Sequence, residues 1–396
     1  MDSTPSDKMI RGQWSIPEDV VYLNHGSFGP SPRVVQQERD RWYRRLEAQP
    51  MDFYLRVMED ALDAALRELA ELVGANPKDM AFVENATTGM NIVAQSISLR
   101  AGEEVLLSDH EYGAVKRIWE KTCEQTGAKV VYCRWPLVPR SSQELVDAVM
   151  DRVARRTRLI VVSHVTSPTA MIAPVEAICA EARRLDVPVC IDGPHAVAML
   201  PVDLRRLGCA FYTASCHKWL CAPFGSGFLY VNESFQETLC PAVRSWGLSL
   251  SGRPSRWQDE FLWGGTRDPS AFLAVPAAIR FLRHYGLDEF RDRTHALAQL
   301  ARRRIVDRIG DHGLVPDSPE WYASMVSLPL PPSDIAPRSG LRDPLQESLW
   351  SEYRIEVPVL TFRQQRFLRV SCHLYNTRHD IERLVQALES LLPAHS

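Results

Sequence analysis

Two short segments place reactive side chains at the ends of apolar runs. Val189-Cys190-Ile191-Asp192-Gly193 closes on a carboxylate, and Tyr212-Thr213-Ala214-Ser215-Cys216-His217-Lys218 closes on a serine, a histidine and a lysine. A carboxylate and an amine beside buried strands need partners, because unpaired charge is costly away from water. A third segment, Asn85-Ala86-Thr87-Thr88-Gly89, follows another apolar run and opens a helical one at 90–99. Its hydroxyls and free N–H groups suit a phosphate dianion at a helix N-terminus. Asp109-His110-Glu111-Tyr112-Gly113 follows a further run and offers an aromatic ring. Near the other end, Arg369 in Leu368-Arg369-Val370-Ser371 has the planar fork that captures a carboxylate bidentately.

Each piece also has a plainer reading. Asp192 alone reads as a turn cap, Ser215 to Lys218 as a solvated loop, Ala86 to Thr88 as an ordinary helix start, Tyr112 as core and Arg369 as a surface ion-pair partner. Their joint order carries more than any one of them. A lysine for an aldehyde, a carboxylate for a pyridinium nitrogen and a helix start for a phosphate are together what pyridoxal phosphate requires.

The elements that must position these groups follow from the apolar pattern. Runs at 80–84, 104–107, 129–132, 159–163, 187–191, 210–213 and 227–231 alternate with helical stretches. They are rich in Val, Ile and Leu, which predicts a largely parallel seven-stranded sheet covered on both faces. In such a sheet ligands gather outside the carboxyl ends of the strands, where the reactive segments fall. Residues 33–49 and 57–74 read as helices, as do 271–285, 287–309 and 379–392. A Pro-rich stretch spans 328–337, and strands are expected at 356–362 and 367–371. The chain therefore divides into an N-terminal arm at 1–20, a large α/β domain at 21–270 and a smaller α/β domain at 271–396.

Composition narrows the class. The 396 residues carry a formal net charge of −3, with 45% hydrophobic and 24% charged residues. There is no basic excess to attract nucleic acid or an anionic membrane, so a small-molecule partner is expected. No run reaches membrane-span length and residues 1–14 have no apolar stretch of the kind a signal peptide carries, so a cytoplasmic enzyme is expected. The nine cysteines form no paired CxxC motif, and no metal site is expected.

At this point the sequence resembles the class V aminotransferase family of fold-type I pyridoxal-phosphate enzymes, in particular its isopenicillin N epimerase-like branch. The resemblance rests on Tyr22-Leu23-Asn24-His25-Gly26-Ser27-Phe28-Gly29, Ile191-Asp192-Gly193-Pro194-His195-Ala196 and Ser215-Cys216-His217-Lys218-Trp219-Leu220-Cys221-Ala222-Pro223. It extends to Gly264-Gly265-Thr266-Arg267-Asp268 and to Tyr375-Asn376-Thr377. It implies an aspartate-aminotransferase-like fold and a homodimer with shared sites. It also implies that Lys218 holds the cofactor as a Schiff base and shuttles protons, with Asp192 on the ring nitrogen. By the same resemblance His195 lies near the cofactor face or its ring hydroxyl, and Tyr112 stacks on the ring. Ala86, Thr87, Ser215 and His217 hold the phosphate, Thr266 reaches the neighbouring subunit's phosphate, and Ser167 approaches the cofactor hydroxyl, where relatives often carry Asn. Arg369 and His25 face the substrate.

Three outcomes then remain open: return of the α-proton (epimerisation), proton delivery to the cofactor (transamination), and loss of a β-group, as in carbon–sulfur lysis. A non-catalytic cofactor-binding relic is a fourth reading, against which the intact Lys218 and Asp192 count. Cysteine desulfuration needs a nucleophilic thiolate upstream of the arginine. No cysteine lies between Cys240 and Cys372, so that route is disfavoured. The segments 246–256 and 333–342 are expected to shape the pocket.

Overall fold

The computed structural model describes residues 6–311, 313, 315–331 and 343–392. The segment 333–342 and part of the Pro-rich stretch lie outside the described residues. Seven strands form the main sheet: β1 (Met80–Val83), β2 (Glu104–Ser108), β3 (Lys129–Cys133), β4 (Thr157–Ser163), β5 (Val189–Asp192), β6 (Phe211–Ser215) and β7 (Gly227–Val231). Their spatial order is β1-β7-β6-β5-β4-β2-β3, and every pairing is parallel except those of β7 with its two neighbours.

The apolar runs work because both faces are covered. Val105, Leu107, Leu159 and Val161 pack with residues of the helices Ala86–Ser96 and Gly113–Thr126. Their neighbours Leu106, Ile160 and Val162 point the opposite way, into a core shared with Met58–Leu72 and Val175–Arg184. The two-residue period of a strand thus sorts successive side chains into two cores. After β2 the chain adds β3 on one side, then crosses over to place β4 on the other. That reversal opens a crevice at the carboxyl ends of β2 and β4, the expected place for a ligand.

A second, antiparallel sheet has the order β9-β10-β8, with β8 (Met325–Pro329), β9 (Val359–Phe362) and β10 (Gln365–Ser371). The sequence reading missed β8, whose end falls in the Pro-rich stretch. An edge strand tolerates proline, and β8 is an edge strand. The strand expected at 356–362 is two pieces. Ile355–Glu356 pairs in parallel with Val21–Tyr22, and β9 begins after Pro358. The β9–β10 hairpin turns on Arg363 and Gln364, both at positive φ (48° and 64°), as the two-residue turn requires.

The helices at 33–49, 287–309 and 379–392 appear as Arg33–Ala48, Leu287–Ile309 and Arg378–Leu391. The one expected at 57–74 is Met58–Leu72, entered through a π-helical turn at Phe53–Val57. The one expected at 271–285 is broken into Ser270–Leu273 and Val275–Tyr285, with Pro276 in the first turn of the second piece. Trp14 is buried against Phe281 and Tyr375, with ring centroids 5.3 and 5.1 Å away. Among the described residues no helix is long and apolar enough to cross a membrane.

Candidate active site

A cavity of about 900 Å³ opens at the carboxyl ends of β1, β2, β4, β5 and β6. Of the residues singled out in the sequence, Ala86, Thr87, Tyr112, Ser167, Asp192, His195, Ser215, His217, Lys218 and Arg369 line it. His25 and Thr266 do not. Thr266 is exposed, in the loop that precedes Ser270–Leu273. Of the two segments expected to shape the pocket, 246–256 does not reach it, although nearby Ala242 does.

Asp192 ends β5 and is buried, accepting a 3.2 Å hydrogen bond from the Thr213 hydroxyl. The glycine after it is obligatory, because a Cβ on Gly193 would lie 2.1 Å from the Tyr212 ring. Burial raises the Asp192 carboxyl above its usual range, while Lys218 and Thr213 draw it back. It is the only carboxylate among the described residues that line the cavity.

Lys218 follows β6. Its amine lies 3.1 Å from His195 Nε2, and its carbonyl lies 3.0 Å from His25 Nε2. Burial drives the Lys218 amine well below the usual lysine range, Arg369 pushes the same way, and Asp192 opposes them. His25 is fully buried, with Nδ1 2.9 Å from the Tyr375 hydroxyl and its ring stacked on His373 at 4.0 Å. It sits behind the lysine backbone rather than in the cavity.

The helix Ala86–Ser96 points its N-terminus into the cavity. Asn85 caps it, accepting from the Thr88 N–H at 2.9 Å, and the Ala86 N–H donates to the Ser215 hydroxyl at 3.0 Å. Close approach of this loop to the sheet needs Gly227, where a Cβ would fall 2.5 Å from the Ala214 carbonyl and 2.9 Å from Asn85 Cα. His217 Nδ1 is buried without a partner among the described residues.

Arg369 reaches the cavity from β10. It donates to the Ser167 carbonyl at 2.8 Å, the Ser167 hydroxyl at 3.2 Å and the Ser27 hydroxyl at 2.6 Å. Its partners are all neutral, and burial lowers it to about 10. A buried guanidinium with no carboxylate beside it calls for an anionic ligand. Ser167 is thus occupied in orienting this arginine.

Three contributions escaped the sequence reading. Glu111, buried beneath the crevice, accepts from the hydroxyls of Ser108 and Ser163 and from the Ser163 N–H at 2.9 Å. It joins β2 to β4 just where their pairing stops, and burial raises it to about 7. The Trp219 indole N–H donates to His195 Nδ1 at 3.3 Å. Arg363 pairs with Asp109 and donates to the Trp135 carbonyl at 2.8 Å, tying the second sheet to the β2 loop. The capping role of Asn85 is legible locally, because Asn before a helical run is a capping signal. No sequence pattern marks the other three, whose contacts with Ser163, His195, Asp109 and Trp135 join distant parts of the chain.

The residues present fit pyridoxal phosphate: an amine whose hold on its proton burial weakens, one buried carboxylate, a helix N-terminus, an unpartnered histidine nitrogen and a cation without an anion, all at a single cavity. The family model for class-V aminotransferases matches residues 21–384, and the chain belongs to that family, whose enzymes depend on pyridoxal phosphate. It is 37% identical to the isopenicillin N epimerase of Streptomyces clavuligerus, over 96% of this chain and 97% of that one. It is 39% identical to that of Amycolatopsis lactamdurans, with the same coverage. Among solved structures it resembles a C-DES variant with glycine covalently linked to its pyridoxal phosphate, with a TM-score of 0.82 and 23% identity over 98% of this chain and 99% of that one. The protein is thus a class V pyridoxal-phosphate-dependent enzyme related to isopenicillin N epimerase.

Proposed function

We propose that this enzyme inverts the α-carbon of an amino-acid substrate, with Lys218 as the residue that takes and returns the α-proton. The observation that carries this reading is a buried lysine and a buried arginine without an anion, both facing one cavity whose only carboxylate among the described residues is Asp192. Bound pyridoxal phosphate supplies an electron sink that weakens the bonds at the α-carbon.

The chain's residues would divide the remaining work. Arg369, aimed by Ser27 and Ser167, would hold the substrate carboxylate and so fix which α-bond faces Lys218. Asp192 would keep the cofactor's ring nitrogen protonated, and Tyr112 would cover the ring. Thr87, the Ala86–Ser96 N-terminus, Ser215 and His217 would hold the phosphate. His195 would stand between Lys218 and the ring hydroxyl. His25 would act from behind, gripping the Lys218 carbonyl rather than the substrate.

A shared site in a homodimer is part of the reading. Phe28, at the cavity, and Phe224 beside His217 are 65% and 55% exposed, and exposed Thr266 does not reach its own cavity. A second subunit would cover the aromatic rings and receive the threonine. Sulfur transfer has no support, since none of the nine cysteines lines the cavity among the described residues.

Incubation of the holoenzyme with single enantiomers of a panel of amino acids, followed by chiral chromatography, tests the reading. The mirror configuration at the α-carbon is expected to accumulate. Pyruvate and a free thiol from a cysteine-type substrate, without inversion, would replace the proposal with carbon–sulfur lysis. Persulfide on one of the protein's cysteines would replace it with desulfuration.

A further inference from the structure

Behind the reactive lysine, donors and acceptors line up in an order that fixes protons. The Trp219 indole can only donate, so His195 Nδ1, 3.3 Å away, must accept. Burial above all, with the Arg369 cation adding to it, keeps the His195 ring neutral. A neutral imidazole has one proton, which is therefore on Nε2. That N–H faces the Lys218 amine at 3.1 Å. Two donors cannot share a hydrogen bond, so the amine must accept with its lone pair.

We propose that Trp219 is a positioning residue that locks His195 with its proton on Nε2, so that His195 donates to Lys218 and holds it as a free base. The role of Lys218 as the proton carrier rests on the function proposed above; the tautomer lock itself does not. The remaining charged and titratable groups that face this amine are Asp192 at the end of β5, Arg369 on β10 and His217 in its own loop. Asp192 favours the ammonium form, whereas Arg369 favours the amine. His25 acts on the other side of the residue, on its carbonyl. A carbonyl only accepts, so His25 is also protonated at Nε2 and accepts a hydrogen bond from the Tyr375 hydroxyl at Nδ1. Two neutral histidines of the same tautomer thus grip Lys218 at its amine and at its backbone.

Without the indole N–H, His195 is free to move its proton to Nδ1. Nε2 then accepts from Lys218, and the ammonium form gains a partner. The lysine should become harder to deprotonate.

Two measurements on the full-length chain freed of cofactor test this. In the first, ¹⁵N NMR of histidine-labelled protein, with His195 assigned through His195→Gln, should place the proton on Nε2; a proton on Nδ1 overturns the proposal whatever the variants do. In the second, Trp219 is replaced by β-(3-benzothienyl)alanine, which keeps the bicyclic shape and lacks the N–H, with the fold checked by circular dichroism. Carbamylation of Lys218 by cyanate is followed across pH by peptide mass. The midpoint should rise by about one pH unit, so that below it Lys218 reacts roughly tenfold more slowly than in the wild type. An unchanged midpoint overturns the lock. Because neither readout depends on turnover, failure here leaves the proposed α-carbon chemistry standing, and failure of that chemistry leaves the lock standing.

Discussion

The two sheets supply the cavity with unlike chemistry. The seven-stranded sheet brings Asp192 from β5, Ser215, His217 and Lys218 from the neighbouring β6, and the helix N-terminus at Ala86 from β1, beyond β7. The three-stranded sheet brings one group, Arg369, from its central strand. On the proposed roles, the large sheet would hold the cofactor and the small one would hold an anionic substrate. Binding of cofactor and recognition of substrate should then be separable by mutation.

Lys218→Ala should remove the covalent adduct outright. No cofactor should be retained after borohydride reduction and denaturation, and turnover should fall by several orders of magnitude. Retention at another lysine with full activity would break the assignment. Asp192→Asn should keep the fold yet slow turnover by about a hundredfold or more, a loss comparable to removing one preorganised electrostatic partner. Steady-state kinetics of the reconstituted variant check it.

Arg369→Lys sharpens the contrast, because it lies on the other sheet. Substrate binding should weaken by roughly 2–5 kcal/mol, the scale for stranding one member of a buried charge pair, since an ammonium cannot reproduce the fork. Cofactor retention should be unchanged. A loss of cofactor would show that the two sheets do not divide the work.

Thr266→Ala should weaken cofactor retention modestly. Mixed with Lys218→Ala subunits, it should regain partial activity in hybrid dimers; a fully active monomer would refute the shared site.

Arg363→Ala should cost least. Burial alone would raise the Asp109 carboxyl, but hydrogen bonds from His110 and Arg363 outweigh it and hold it at about 2. A depressed carboxyl stabilises the fold above the ordinary aspartate range and loses that contribution as pH falls through about 2. The pair is partly solvated, so about 1 kcal/mol or less is at stake, worth about 1 °C in Tm at neutral pH. Thermal unfolding at pH 7 and near pH 2 should show the gap between variant and wild type closing in acid.

The same contrast governs what could be read from the sequence. Strands buried on both faces spell continuous apolar runs, so all seven of the large sheet were legible, and with them the strand ends where Asp192 and Lys218 sit. The small sheet was legible only in part. Gln365–Ser371 is its buried centre and showed clearly, whereas Met325–Pro329, at the edge, was hidden by proline. The helix Pro344–Tyr353 went unread because only Leu345 and Leu349 are buried on it, too few for a periodic signal. In the site, residues carried by a local motif were recoverable. Contacts joining distant segments were not: nothing near Glu111 announces Ser163, 52 residues on, and His25 gave no sign that it would meet the Lys218 carbonyl.

The central claim is that Lys218 takes a proton from the α-carbon of an amino acid and returns it. Incubation of wild-type holoenzyme with a substrate amino acid in deuterated water, followed by mass spectrometry and NMR of the recovered substrate, tests it directly. One deuterium should appear at the α-carbon of intact substrate, in both configurations, and none should appear with Lys218→Ala. Inversion or α-deuteration by the Lys218→Ala protein equal to that of the wild type, or wild-type turnover with neither inversion nor α-deuteration of the recovered substrate, would contradict it.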